Sequence, residues 1–285
     1  MPSVLTSDQV NSYVNDGYVI VRSLFDSEEI NLLRRSMEED PAIRGHFYDR
    51  QDTSGSATKM ALWNHPGDSV YGLAARSERV VDTMEQLIGG EVYHYHSKLT
   101  AKEPRVGGAW EWHQDYGYWY DNGCLFPLMA SMMIALDRTT AENGCLQVLR
   151  GSHHMGRIDH KLLEGEQVGA DLARVEEAKK QLETVYVEME PGDALFFHCN
   201  TLHRSDQNRS DNRRWTLLCC YNAARNDPYL EHHHPGYTKL DKVGDEAIKQ
   251  AGLKFAAAEE DANFMAAPEA PSGMKDQTPV STLQS

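Results

Sequence analysis

The segment Trp112-His113-Gln114-Asp115 sets an imidazole and a carboxylate two positions apart. In extended chain, positions i and i+2 share a face, so His113 and Asp115 are expected to point together. They are two of the three ligands of a 2-His-1-carboxylate triad, which leaves positions on iron open for a cosubstrate and O2. An HxD pair alone is weak, since chance produces it readily. A third ligand is sought in the run Pro191-Gly192-Asp193-Ala194-Leu195-Phe196-Phe197-His198-Cys199-Asn200-Thr201-Leu202-His203, where a turn launches an apolar strand followed by a bend. Both His198 and His203 are candidates there. Arg214 stands 11 residues past His203 at the start of another strand-like run, next to Arg213, which would face the other way. An arginine fork on a neighbouring strand suits a dicarboxylate, because it holds the distal carboxylate through two hydrogen bonds. Ser205 shares a strand face with His203 and can donate to the same group.

The elements that must position these groups are legible in outline. Thr6 or Ser7 can cap a helix that stops at Asp16-Gly17, and Tyr18 to Val21 reads as a buried strand. Asp26 or Ser27 caps a second helix through Ile30, Leu33 and Met37, residues 41–68 read as an irregular loop or lid, and a helix over 70–88 ends at Gly89-Gly90. From residue 91 short β-rich runs alternate with Gly-rich turns, which predicts a sandwich or jelly roll. Residues 156–184 read as an insertion that is helical near its end, inside a single domain spanning 1–255, and 256–285 read as a mobile tail. The chain has 285 residues and a formal net charge of −15, which argues against a nucleic-acid or anionic-membrane partner. No run of about 18 apolar residues is present, and the N-terminus lacks the pattern of a secretory signal. Five cysteines without a CxxC read as reduced thiols in a cytoplasmic protein, monomeric or homodimeric, with a small-molecule partner.

The opening LTSDQVNSYVNDGYVIVRSLF, the WHQD element, AENGCLQVLRGSH and PGDALFFHCNTLHRSDQNRSDNRR occur in an order that resembles the phytanoyl-CoA dioxygenase family of Fe(II)/2-oxoglutarate-dependent oxygenases, over roughly residues 5–225. The resemblance implies a mainly β fold with flanking helices around a double-stranded β-helix, or jelly-roll, cupin-like core. It implies Fe(II), 2-oxoglutarate and O2, with His113, Asp115 and His203 as the catalytic metal ligands. Arg214 would bind the C5 carboxylate of 2-oxoglutarate with help from Ser205, Lys59 and Lys98 would line the cosubstrate site, and Met133 would lie against it. Arg150 departs from the proline usual before Gly-Ser-His. Relatives that halogenate replace the carboxylate ligand with a small residue, so Asp115 implies hydroxylation, desaturation or ring formation.

The interval to Arg214 and the resemblance together favour His203 over His198, and Arg214 over Arg213. Tyr116, Tyr118 and Trp119 follow directly on Asp115 and can form an aromatic wall over the iron, with Trp63 and Asn64 as part of a lid. His153-His154 and His232-His233-His234 read as rim histidines, of which His154 is expected nearest to substrate, and His94 and His96 read as sheet positions. The expected activity is hydroxylation of an unactivated C–H of a small amine, zwitterion or natural product, with release of succinate and CO2. The rivals are a cupin-like metal-binding protein without 2-oxoglutarate chemistry, an acyl-CoA hydroxylase, and a catalytically silent relative.

Overall fold

The structure, a computed structural model, describes residues 4–163, 167–256 and 263–266. In chain order the elements are α1 (Ser7–Asp16), β1 (Tyr18–Val21), α2 (Ser27–Glu39), α3 (Pro41–Gly45), β2 (Tyr48–Gln51), β3 (Ala57–Trp63), α4 (Val70–Arg76), α5 (Glu78–Ile88) and β4 (Val92–Lys102). Then follow β5 (Trp110–His113), α6 (Asp115–Trp119), β6 (Met129–Ala135), β7 (Leu146–Leu149), β8 (His160–Leu162), β9 (Val168–Ala170), α7 (Leu172–Gln181) and β10 (Thr184–Val187). The chain ends with β11 (Ala194–His198), β12 (His203–Ser205), β13 (Arg214–Ala223) and α8 (Ala247–Ala251).

Two antiparallel sheets face each other. The larger runs β1-β11-β6-β13-β4-β3-β2 and the smaller β10-β7-β12-β5, while β8 and β9 form a separate hairpin. Alternate side chains divide the central strands between two cores. Met133, Ala135, Leu195, Phe197 and Leu218 meet Leu146, Val148 and Val187 inside the sandwich. Ala130, Met132, Ile134, Phe196, Leu217 and Tyr221 pack on the other face, with Leu33, Met37, Tyr71, Val80, Val81 and Met84 of the helices. With both faces covered, β6 and β13 are buried at every position, and most of their residues are apolar, with Ser131 and Arg214 among the exceptions.

The helix starts follow the expected capping chemistry. Thr6 and Gln9 form a capping box on α1, and Asp26 and Glu29 form one on α2. Each such cap is worth about 1 kcal/mol. Gly17 ends α1 at φ 84°, and a Cβ there would sit 2.6 Å from His153 and 2.7 Å from Thr201, so the turn needs glycine on both counts.

Two expectations are corrected and a third is filled in. Residues 41–68 hold α3 and the β2–β3 hairpin, which extends the large sheet; β2 is a polar edge strand whose side chains alternate between half-buried and exposed, so composition made it look like loop. The single helix over 70–88 is two, broken at Ser77, whose ψ of 140° is extended and whose hydroxyl donates to the Ala74 carbonyl. The insertion carries the expected helix as α7, preceded by the β8–β9 hairpin, and is anchored by Ile158, Ala170, Val175 and Ala178 against Trp112, Leu149 and Leu202. Arg150 donates its backbone N–H to the Glu183 carbonyl at 2.9 Å, a bond that proline could not make. Most of the expected tail lies outside the described residues, but 263–266 run beside β3, with Met265 N–H donating to the Leu62 carbonyl.

Candidate active site

His113 and His203 are register partners across β5 and β12, so the sheet itself sets their rings 4.0 Å apart. Asp115 follows after one extended residue, Gln114, and starts the short helix α6 rather than continuing the strand. One ligand atom from each of the three side chains lies within 4.8 Å of the others, and all three residues are buried. The Nε2 atoms of His113 and His203 stand 3.9 and 3.8 Å from Asp115 Oδ1, too far for hydrogen bonds. Each Nδ1 donates to a backbone carbonyl, His113 to Glu111 at 2.7 Å and His203 to Thr201 at 2.9 Å. That fixes the tautomer and leaves each Nε2 lone pair free for a cation. Burial holds both imidazoles below their ordinary range, the form a metal needs. Ser131 donates to Asp115 Oδ2 at 2.8 Å, so Oδ1 is the oxygen left to bind. These atoms fit a divalent transition metal with a facial donor set.

Gln114, between two of the ligands, ties the site together. Its Nε2 donates to the Gly156 and Asn200 carbonyls at 2.8 and 2.7 Å, and its Oε1 accepts from Ile158 N–H at 2.7 Å. The insertion therefore braces the HxD element, a role not assigned to it from the sequence.

Beside the triad lies a narrow pocket lined by Lys98, Lys102, Met133, Ser205, Arg214 and Leu218, among others. Arg214 is 3% exposed, and among the described residues no carboxylate lies within ion-pair distance of it. Its Nε has no hydrogen-bond partner, and its Nη2 rests 3.8 Å from Met133 Sδ. Burial lowers the guanidinium pKa to about 10. Directly opposite, as its register partner, stands Lys102, itself 1% exposed. Lys102 donates to Ser205 Oγ at 2.8 Å and to the Asp206 carbonyl at 2.5 Å. Burial first, then Arg214, pushes its amine well below the ordinary range. Like charges opposite one another destabilise a sheet, and a buried cation without a counter-ion costs several kcal/mol, on the order of 3–5 kcal/mol. The pocket is built for an anion.

Arg214, Ser205, Met133 and Lys98 thus lie together, as expected. Lys59 does not join them. It is exposed, and its neighbours Thr58 and Met60 line the pocket instead, because alternate residues of β3 face opposite ways. Lys102 takes its place; the signal was Lys98-x-Thr100-x-Lys102, three positions on one face of β4.

A larger cavity of about 510 Å³ opens from the triad. It is bounded by Arg50, Leu62, His96, Lys98, Tyr118, Trp119, Asp121, Val168, His233, His234 and Met265, among others. Tyr118 and Trp119 take the expected place, with the Tyr118 hydroxyl bonded to the Val168 carbonyl. Tyr116 does not reach the cavity; it is buried, and its hydroxyl donates to the Cys124 carbonyl at 2.9 Å. Trp63 is core, 2% exposed between Tyr71 and Phe264. His154 is exposed and tilted against His153, away from both pockets, because the short 3-10 helix after β7 turns it outward. Asn64 acts one layer back, donating to the His233 carbonyl at 2.8 Å and bonded to His234 Nδ1 at 2.8 Å. His233 and His234 are cavity walls as well as rim residues. His96 is a sheet position that also faces the cavity, stacked on His234 at 4.6 Å and 19°, with its Nδ1 unpartnered. Burial holds His96 well below the ordinary histidine range and His234 at about 2, so both rings are neutral.

The family model of phytanoyl-CoA dioxygenase matches residues 13–216. An L-proline trans-4-hydroxylase from Streptomyces griseoviridis is 31% identical over 236 residues, 76% of this chain and 86% of the relative. An ectoine dioxygenase from Stutzerimonas stutzeri is 26% identical over 236 residues, 78% of each protein. Among solved structures, iron-bound EctD from S. alaskensis superposes with a TM-score of 0.72 at 22% identity, covering 85% of this chain and 89% of that one. The same protein with 2-oxoglutarate and 5-hydroxyectoine gives 0.67 at 23%, covering 90% and 87%.

Proposed function

The chain belongs to the phytanoyl-CoA dioxygenase family, and from that premise we propose that His113, Asp115 and His203 hold its iron while Arg214 anchors 2-oxoglutarate. The protein is an iron- and 2-oxoglutarate-dependent dioxygenase that hydroxylates a small molecule. Bound iron with 2-oxoglutarate activates O2, so that one oxygen atom enters a C–H bond and the other enters succinate as CO2 leaves.

The protein's own part is to bind, orient and exclude. The Arg214 guanidinium, with no carboxylate within ion-pair distance among the described residues and its Nε without a hydrogen-bond partner there, is the observation that carries this reading, since a distal carboxylate would supply the counter-ion. Ser205, held by Lys102, would complete the grip on that carboxylate. Ser131 holds the Asp115 carboxylate, and the Glu111 and Thr201 carbonyls hold the imidazoles, so the donor set is preorganised.

For the substrate, the cavity offers cations at Arg50 and Lys98, an anion at Asp121, and the ring faces of Tyr118 and Trp119. That mixture suits a compact zwitterion with an apolar body better than a bulky anionic thioester. The relatives named for L-proline and ectoine support this class. The five cysteines are all buried free thiols, which fits a cytoplasmic enzyme. The test is succinate formation by the iron-loaded enzyme with L-proline, other cyclic amino acids, ectoine and an acyl-CoA. Stimulation by a zwitterion supports the reading, and stimulation by the acyl-CoA alone overturns it.

A further inference from the structure

The stretch Asn263 to Ala266 belongs to a region whose composition reads as dispensable, yet it is bonded to the sheet beside the active site. The edge strand β2 pairs with β3 only from Ala57 to Met60. Beyond that point the outer edge of β3 would be open, leaving backbone groups near Leu62 and Asn64 without partners. The C-terminal residues take them: Met265 N–H donates to the Leu62 carbonyl at 2.9 Å, and Asn64 N–H donates to the Asn263 carbonyl at 3.2 Å. Trp63 and Phe264 form an antiparallel bridge between these two bonds. Phe264 is clasped on two sides, stacked on His46 at 4.2 Å and 9° and tilted against Trp63 at 5.7 Å. The residues that follow, Met265 and Ala266, line the large cavity together with Leu62, Trp119 and His234.

We propose that residues 263–266 are a latched wall of the substrate cavity, held by Phe264 and presenting Met265 and Ala266 to the apolar body of the bound molecule. This deepens the substrate reading above and rests on it for the class of ligand. The latch is carried by backbone bonds to an otherwise open strand edge, so the wall continues the sheet where β2 stops. Asn64, whose N–H joins the latch, also carries the bonds to His233 and His234, so the C-terminal wall and the histidine wall meet at one residue. The wall sets how well substrate fits and leaves the 2-oxoglutarate pocket alone, because neither Met265 nor Ala266 lines that pocket.

The test compares the full-length iron-loaded enzyme with Phe264→Ala and Phe264→Trp, using L-proline as the probe. Hydrogen exchange at the Asn64 amide reads the latch directly and needs no turnover. Phe264→Ala is expected to speed that exchange by about tenfold, to raise KM for L-proline about five- to tenfold, and to leave KM for 2-oxoglutarate unchanged. More succinate should then form per molecule of hydroxylated product. Phe264→Trp keeps the stack and should restore all of these values. Unchanged exchange in Phe264→Ala rejects the latch. Faster exchange with unchanged KM and coupling rejects the wall. If the wild-type enzyme ignores L-proline, the same comparison is made with the cyclic amino acid or ectoine that does stimulate succinate formation; if no zwitterion does, the substrate reading and the wall fall together, and the exchange measurement alone decides the latch.

Discussion

The two pockets that meet at the triad are built from different material. The pocket proposed for 2-oxoglutarate is lined almost wholly by strands: Lys98, Thr100 and Lys102 on β4, Met133 on β6, Ser205 on β12, Arg214 and Leu218 on β13. Its polar groups are fixed by register, with Lys102 opposite Arg214 and His203 opposite His113. The larger cavity, proposed for the substrate, draws much of its wall from other elements: Tyr118 and Trp119 in α6, His233 and His234 in a loop, Met265 and Ala266 near the C-terminus. Rigid strands hold what one chemistry always needs, and connecting segments hold what distinguishes one substrate from another.

That division can be broken by mutation, starting with the groups both pockets share. His113→Ala or Asp115→Ala should cut substrate-dependent succinate formation by about a thousandfold or more while the far-ultraviolet dichroism stays native. Arg214→Met should raise KM for 2-oxoglutarate about a hundredfold and leave the substrate KM unchanged. Because Arg214 lacks a counter-ion among the described residues, the same change should stabilise the ligand-free protein by about 1–3 kcal/mol in urea unfolding. Ser131→Ala should weaken iron binding about 10- to 100-fold in a chelator competition, without moving the 2-oxoglutarate KM of the iron-saturated enzyme. On the other side, Trp119→Ala should raise the substrate KM about tenfold and change that for 2-oxoglutarate less than twofold. Lys59→Ala and His154→Ala, both at exposed positions, should alter stability by no more than about 0.5 kcal/mol and leave both KM values alone.

Legibility from sequence follows the same line. The triad, Arg214 and Ser205 lie together as expected because strand spacing and short motifs, read with the family resemblance, single them out, whereas Met133 was named from the resemblance alone. The helix starts at Thr6 or Ser7 and at Asp26 or Ser27 were readable because capping is local chemistry, and the structure takes Thr6 and Asp26. Lys59 failed because the face of β3 depends on its register with β4, and the motifs flanking it carry no such information. Lys102 was hidden by ordinary expectation, since a buried lysine makes sense only once Arg214 and Ser205 are seen beside it. Trp63, Tyr116 and His154 failed for a different reason: whether an aromatic or a histidine faces a cavity is decided by tertiary packing. Residues 263–266 were missed because a polar, Ala-rich context gives no sign that two backbone bonds await it on β3.

The central claim is that Arg214 recognises the distal carboxylate of 2-oxoglutarate at an iron site made by His113, Asp115 and His203. Anaerobic titration of iron-loaded wild type and Arg214→Met with 2-oxoglutarate and with pyruvate, which lacks that carboxylate, tests it most directly. The account predicts that Arg214→Met weakens 2-oxoglutarate binding about a hundredfold, to the level of pyruvate, while pyruvate binding is unchanged. Equal losses for both acids, or none for either, would contradict it.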